Sequence, residues 1–223
     1  LGLLNVLVSL PKTIYFNFKV FPFQVAKKLP VFIGYRTVLM NVHRGSVELT
    51  CNPQFGLIKF GHGKGSFGVE VNKHSYLKLD NGCKVVFHGK ANLSEGISVR
   101  CDNGGIIEFG ANFAANQNCF IASNTLVKFG DDVLLGWNIN VRDSDGHHIY
   151  LQDKTEPFNL NKSISIGNSV WIASYANILK GSKISDNSIV GYGSLVTKEF
   201  NESQQILAGV PAKVVKQNIT WRK

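Results

Sequence analysis

No stretch of this sequence stays apolar for the ~18–20 residues that a helix needs to cross a bilayer. The opening L-G-L-L-N-V-L-V-S-L is apolar, but it lacks the charged flank and small-residue cleavage site of a secretory leader. Methionine occurs once and proline six times. The four cysteines, Cys51, Cys83, Cys101 and Cys119, are too widely spaced for a C-x-x-C metal or redox motif. They are read as reduced thiols, three of them within strand-like runs where a small buried residue fits. Acidic residues are scarce, 15 against 24 Lys and Arg, giving a net charge of +9. Yet no long basic run occurs, and no helix-turn-helix, RRM or zinc-finger pattern, so nucleic acid is not the expected partner. The charge points instead to a phosphorylated cofactor, an anionic glycan or an anionic membrane surface.

What the sequence does have is a period. Ile166, Ile172, Ile178, Ile184, Val190 and Val196 recur at every sixth position, and all are β-branched. The residue after each is mostly small: Gly167, Ala173, Ser185, Gly191 and Thr197, with Leu179 the exception. A second line runs through Val170, Ala176, Ser182, Ser188 and Ser194. Neither a helix nor a plain strand repeats every six residues. A hexapeptide repeat lays one short strand on each face of a three-sided prism, so a coil takes ~18 residues. The branched residue points inward and stacks on its equivalents, and the small one lets the chain turn.

The rest is organised around that stretch. The segments 57–61, 84–89, 106–110 and 126–130 echo one another as L-I-K-F-G, K-V-V-F-H-G, I-I-E-F-G and L-V-K-F-G. Phe87, Phe109 and Phe129 therefore extend the same solenoid upstream with looser corners. Residues 1–40 differ, with Phe16, Phe18, Phe21 and Phe23 crowded around Pro22 and lysines between them. Two readings are open for them: a segment of helix and strand that shields the open end of the coil, or an interfacial segment resting on an anionic membrane. The solenoid proper is expected over 41–200. A polar loop, 143–163, interrupts it, and a basic tail covers 201–223.

The segments I-G-N-S-V-W-I-A at 166–173, G-Y-G-S-L-V-T-K at 191–198, A-G-V-P-A-K-V-V-K at 208–216 and D-S-D-G-H at 143–147 carry a resemblance. Together they resemble the left-handed parallel β-helix acyltransferases, and among these the sugar O-acetyltransferases related to the maltose and galactoside enzymes. The left hand comes from the resemblance, not from the period. So does the implied activity: acetyl transfer from acetyl-CoA to a sugar hydroxyl, in bacterial surface polysaccharide synthesis, without a metal. The implied general base is His147, with His148 beside it as the alternative. Asp143 or Asp145 would orient the imidazole, unless Asp145 shapes a local turn instead.

The resemblance places Trp171, Ser174, Tyr192, Thr197, Lys198, Lys213 and Lys216 at cofactor-binding positions. Relatives have Ala where this chain has Tyr192. Asn116, in A-N-F-A-A-N-Q-N, matches an acceptor-contacting Asn, with Asn138 and Asn140 as alternatives. An acidic acceptor contact of the relatives is Asn124 here, which leaves the sugar open. The resemblance also implies a homotrimer with the site between subunits, and the expected location is the cytoplasm, with or without membrane contact through 1–40. An N-acetyltransferase of an amino sugar or antibiotic, and an inactive scaffold, are the competing readings. A carbonic-anhydrase-like metal site is set aside because His43, His62, His74 and His88 share no coil spacing.

Overall fold

In a computed structural model, residues 3–63 and 73–222 are described. Helix α1 (Leu3–Val20) and the short α2 (Phe23–Ala26) precede a three-sided parallel β-helix.

Strands Val31–Ile33, Ile58–Phe60, Ala91–Leu93, Phe113–Ala115, Leu134–Leu135, Trp171–Ile172, Ile189–Val190 and Ile206–Gly209 stack on the first face. Thr37–Met40, Ser75–Leu79, Ser98–Cys101, Phe120–Ser123, Asn140–Arg142, Asn177–Leu179 and Leu195–Val196 form the second. Val47–Leu49, Lys84–Phe87, Ile106–Phe109, Leu126–Phe129, Ile164–Ile166, Lys183–Ile184 and Glu199–Phe200 form the third. The chain visits the faces in that order, so each trio is one coil, and the described residues form seven coils in succession. Ala212–Lys216 then folds back antiparallel on the last strand of the first face.

The six-residue line is the core of coils 5–7. Ile166, Ile172, Ile178, Ile184, Val190 and Val196 are all buried, in register with one another through the sheets. The second line fills the inner corners. There Ser182 and Ser188 each donate a hydrogen bond to a corner carbonyl, and Ser194 accepts one from the Gly209 amide. This is how a hydroxyl is buried at little cost. Upstream the inward residues are larger. Phe87, Phe109 and Phe129 stack on one another with centroids 5.1 and 5.5 Å apart, which widens the coils and accounts for their longer period. The corners leave no room for a side chain at Gly130: a Cβ there would fall 2.7 Å from the Gly167 backbone.

Three expectations change. The solenoid begins at Val31 rather than at 41, so the first coil starts inside the N-terminal segment. Only Cys101 lies in a strand; Cys83 and Cys119 are buried at corners and Cys51 is half-buried. Burial pushes the Cys119 thiol up to about 12, and burial raises that of Cys101 further. The N-terminal helix does shield the open end, but with its polar face inward. Ser9, Thr13 and Asn17, one turn apart and fully buried, face the unpaired edge of Val31–Ile33. Asn17 donates to the Val31 carbonyl at 2.7 Å and accepts from its amide at 3.2 Å. Thr13 does the same for Ile33, and the Tyr35 amide donates to Ser9. These bonds satisfy backbone groups that would otherwise be a bare sheet edge. Phe16 and Val20, beside them, plug the interior of the first coil.

Candidate active site

The loop 143–163 leaves the corner between the second and third faces of coil 5. Asp143 fixes its first residue. This carboxylate is fully buried; it accepts from the Asn124 amide at 2.7 Å, the Thr125 amide at 2.8 Å and the Ser123 hydroxyl at 2.8 Å. Both oxygens are thus occupied by the corner of coil 4. Asp143 does not orient His147 here: it ties the loop to the coil below.

Asp145 takes neither of the two roles expected of it. Its carboxylate accepts from the Lys180 ammonium at 2.6 Å and the Asn159 amide at 2.8 Å. Those two bonds, Lys180 first, hold its pKa below the ordinary carboxylate value. The local turn is made instead by Ser144, whose hydroxyl accepts from the Gly146 amide at 3.0 Å.

Asn159 is the centre of the loop. It is buried, accepts from the Ile149 amide at 2.7 Å, and donates to Asp145 and to the His147 carbonyl, both at 2.8 Å. Lys180, from the next coil, also donates to the Asn159 carbonyl at 2.8 Å. A bridge between Tyr150 and Pro157 closes the hairpin. The backbone of His147 is therefore held while both imidazoles, of His147 and His148, stand exposed. No hydrogen bond to either ring is present among the described residues. Sequence reasoning missed Asn159 and Lys180. The one signal for Lys180 was that its corner departs from the small-residue rule.

The loop borders a groove of ≈ 410 Å³ on the second face. Lys78, Arg100, Ala122 and Arg142 share one register down that face, and Asn124, Ser144 and Gly146 close the groove on the loop side. Lys78 is paired with Asp80 and Asp102, and Arg100 with Asp102. Arg142 forms no close ion pair among the described residues, although its charge is felt by the nearby Asp145 carboxylate. It lies over the Phe120 ring at 5.4 Å and donates through Nε to Asn140 at 3.3 Å. The groove thus offers an aromatic ring, amide and hydroxyl groups, and a guanidinium without a close ion pair.

The other expected residues fall in separate places. Asn116, Asn138, Ser174 and Tyr192 line the corner between the first and second faces, on coils 4 to 7. Asn138 sits there with φ +56, the left-handed conformation that suits an Asn at a tight corner. Ser174 accepts from the Trp137 amide at 3.0 Å, and Tyr192 packs on Tyr175 at 5.1 Å. Asn140 is on the second face, bonded to Asn177 and Arg142. Trp171 is 38% exposed on the first face, 6.1 Å from Trp221; the strand that carries Lys213 and Lys216 lies three strands further along the same sheet. Thr197 and Lys198 are exposed on the His147 corner, two coils further on. The two corners are separated by the width of one face, ~15–20 Å at ~3.3 Å per residue. The expected cofactor residues therefore do not all meet within one chain.

The profile of the family described as bacterial transferase hexapeptide (six repeats) matches residues 163–198. A galactoside O-acetyltransferase of Escherichia coli K12 is 37% identical over 114 residues, 51% of this chain and 55% of that protein. A polysialic acid O-acetyltransferase of Escherichia coli O1:K1 is 32% identical over 159 residues, 70% of this chain and 45% of that protein. The chain thus spans about half the length of these curated relatives. Among solved structures, a polysialic acid O-acetyltransferase is matched over 84% of this chain and 88% of that one, with TM-score 0.47 and 21% identity. This chain is accordingly a hexapeptide-repeat β-helix protein that resembles the galactoside and polysialic acid O-acetyltransferases.

Proposed function

We propose that the protein transfers an acetyl group from acetyl-CoA to a hydroxyl of a sugar, with His147 as general base. One observation carries the reading: an exposed histidine on a hairpin pinned at Asp143, Asn159 and Lys180, next in sequence to the Gly146 that lines a groove of charged, amide and aromatic side chains. The acceptor hydroxyl gives its proton to the imidazole as its oxygen attacks the thioester carbonyl. The tetrahedral intermediate collapses, the C–S bond breaks, and the imidazolium returns the proton to the CoA thiolate. No covalent acetyl-enzyme is needed when both substrates are bound together.

The separation of the two corners supports a homotrimer. Trp171, Lys213 and Lys216 of one copy would face the His147 corner of the next, and acetyl-CoA would lie between them. The lysines suit its phosphates and the exposed indole its adenine or pantetheine. The relatives named for polysialic acid and galactoside substrates support a glycan acceptor of surface polysaccharide synthesis. Arg142, which lines the groove and forms no close ion pair among the described residues, favours an acidic sugar over a neutral one.

The test is CoA release from acetyl-CoA with neutral and sialylated oligosaccharides, alongside calorimetric binding of acetyl-CoA. Stimulation by an acceptor that His147→Ala abolishes and His148→Ala spares, with acetyl-CoA binding retained, is the expected result. Loss with His148→Ala alone would move the base by one residue. Transfer only to amino groups would make the protein an N-acetyltransferase, and failure to bind acetyl-CoA would make it a scaffold.

A further inference from the structure

Helix α1 is amphipathic in the reverse sense for a helix packed on a protein. Its buried side is the ladder Ser9, Thr13 and Asn17, together with Phe16 and Val20. Its outer side is an unbroken apolar ridge: Leu4 is 71% exposed, Leu7 54% and Tyr15 54%, with Val8, Pro11, Ile14 and Phe18 between and beyond them. Phe23, 63% exposed and 6.0 Å from Phe18, extends the ridge past the helix end. The spacing 4, 7, 8, 11, 14, 15 and 18 is that of one helical face. Scattered exposed leucines need no explanation; a contiguous ridge of this length does.

The charge around the ridge is of one sign. Lys12, Lys19, Lys27, Lys28, Arg36 and Arg44 all precede the first carboxylate of the chain, Glu48. Residues 1–47 thus carry a net charge of +6, against +9 for the whole chain. Lys12 is turned inward onto the carbonyls of Tyr35 and Thr37, but Lys19, Lys27, Lys28 and Arg44 are exposed. The carboxylates of the adjoining corners are engaged elsewhere, Asp80 with Lys78 and Glu48 with Lys84. A second copy of this chain is therefore a poor occupant, because face-to-face docking would press two cationic rims together. An anionic lipid surface is complementary on both counts. The ridge enters the boundary between headgroups and acyl chains while the lysines meet the phosphates. No described helix is long and apolar enough to cross the membrane, so the contact is peripheral. The helix needs no folding on arrival, because its polar side is already bonded to the sheet edge.

We infer that the α1 ridge and its rim of lysines are a docking surface for an anionic membrane. The inference is independent of the acetyl-transfer reading, and its readout is not activity. The full chain is sedimented with vesicles of phosphatidylcholine alone and of phosphatidylcholine mixed with phosphatidylglycerol, at low and high salt. Wild type is expected on the anionic vesicles, less at high salt, and not on the neutral ones. Lys27→Ala/Lys28→Ala is expected to weaken partitioning ~25-fold, about fivefold per lysine. Leu7→Glu/Ile14→Glu should abolish it with the thermal melt unchanged, since both positions are exposed. Absence of wild-type binding to anionic vesicles, or equal binding to both kinds, would overturn the inference. So would sedimentation velocity showing vesicle-free oligomers that dissociate on Leu7→Glu/Ile14→Glu, which would assign the ridge to a second copy.

Discussion

Replacing Asn159 by Ala tests whether the hairpin is held as described. The change removes three hydrogen bonds: from the Ile149 amide at 2.7 Å, to the His147 carbonyl at 2.8 Å and to the Asp145 carboxylate at 2.8 Å. Two are between neutral groups, worth about 0.5–1.5 kcal/mol each, and the third engages a charge, worth about 1.5–3 kcal/mol. The values do not add fully, because Asp145 keeps Lys180 as a partner. A net loss of about 2–4 kcal/mol is reasonable, a 30-fold to 1000-fold rise in local opening at about 1.4 kcal/mol per decade. None of these bonds reaches the coil core, so the global melt should move little. The assay is native hydrogen exchange with peptides covering 143–163 and, as internal control, 164–200. Exchange in the hairpin should accelerate by at least ~30-fold while the coils stay protected, with catalytic turnover falling alongside. If Ile149 stays within ~3-fold of wild-type protection, the hairpin is not organised by Asn159, and the argument for a positioned His147 fails with it.

Asp143→Asn should destabilise the whole domain. It places an NH₂ against backbone N–H donors in a buried corner, at about 2–3 kcal/mol, seen as a drop of roughly 5–10 °C in the thermal melt. An unchanged melt with an altered pH–rate profile would instead return Asp143 to the role of orienting His147. Asp145 has a pKa below 3.8 because of Lys180 and Asn159. Its contribution to hairpin order is therefore complete above the ordinary carboxylate value and lost as pH falls below it. Pepsin should begin to cut at Tyr150, Leu151 or Phe158 only as the pH drops through that range, and Lys180→Met should remove this onset by leaving the hairpin open at higher pH. A disulfide-exchange reagent should titrate Cys51 alone in the native protein and all four thiols after denaturation, since burial disfavours the thiolates of Cys101 and Cys119. Rapid labelling of two or more native thiols would contradict the packing of the corners.

The regular coils were legible because their signal is local. A six-residue period in β-branched residues has no other regular source, and it located Ile166 to Val196 without ambiguity. The wider coils were legible from a different cue, the recurring phenylalanines, because large inward residues lengthen the corners without removing the pattern. The helix was half legible. Its existence follows from the apolar spacing, but the usual rule turns the apolar face inward, and here the bare edge of Val31–Ile33 draws Ser9, Thr13 and Asn17 inward instead. Their i, i+4, i+8 spacing was visible, but what they would bond was not. The loop was legible as a loop, and its internal wiring was not. Lys180 reaches Asp145 across 35 positions, and no local pattern announces such a contact. Motif resemblance grouped Trp171, Ser174 and Tyr192 with Thr197 and Lys198, although the prism sets Trp171 on the first face, Ser174 and Tyr192 on one corner and Thr197 and Lys198 on another.

Because every coil bonds only to the coils above and below it, length along the axis is a discrete variable in this protein. The hairpin leaves the fifth coil and the capping helix seals the first, so four rises of ~4.8 Å, about 20 Å in all, separate them. Removing one of the wider coils, such as 91–112, would shorten that span by one rise and leave each remaining interface of the same kind as before. The solenoid acts as a spacer of fixed height between whatever the sealed end rests on and the histidine that projects from its side. Descendants of such a chain could change that height one coil at a time, without redesigning either end.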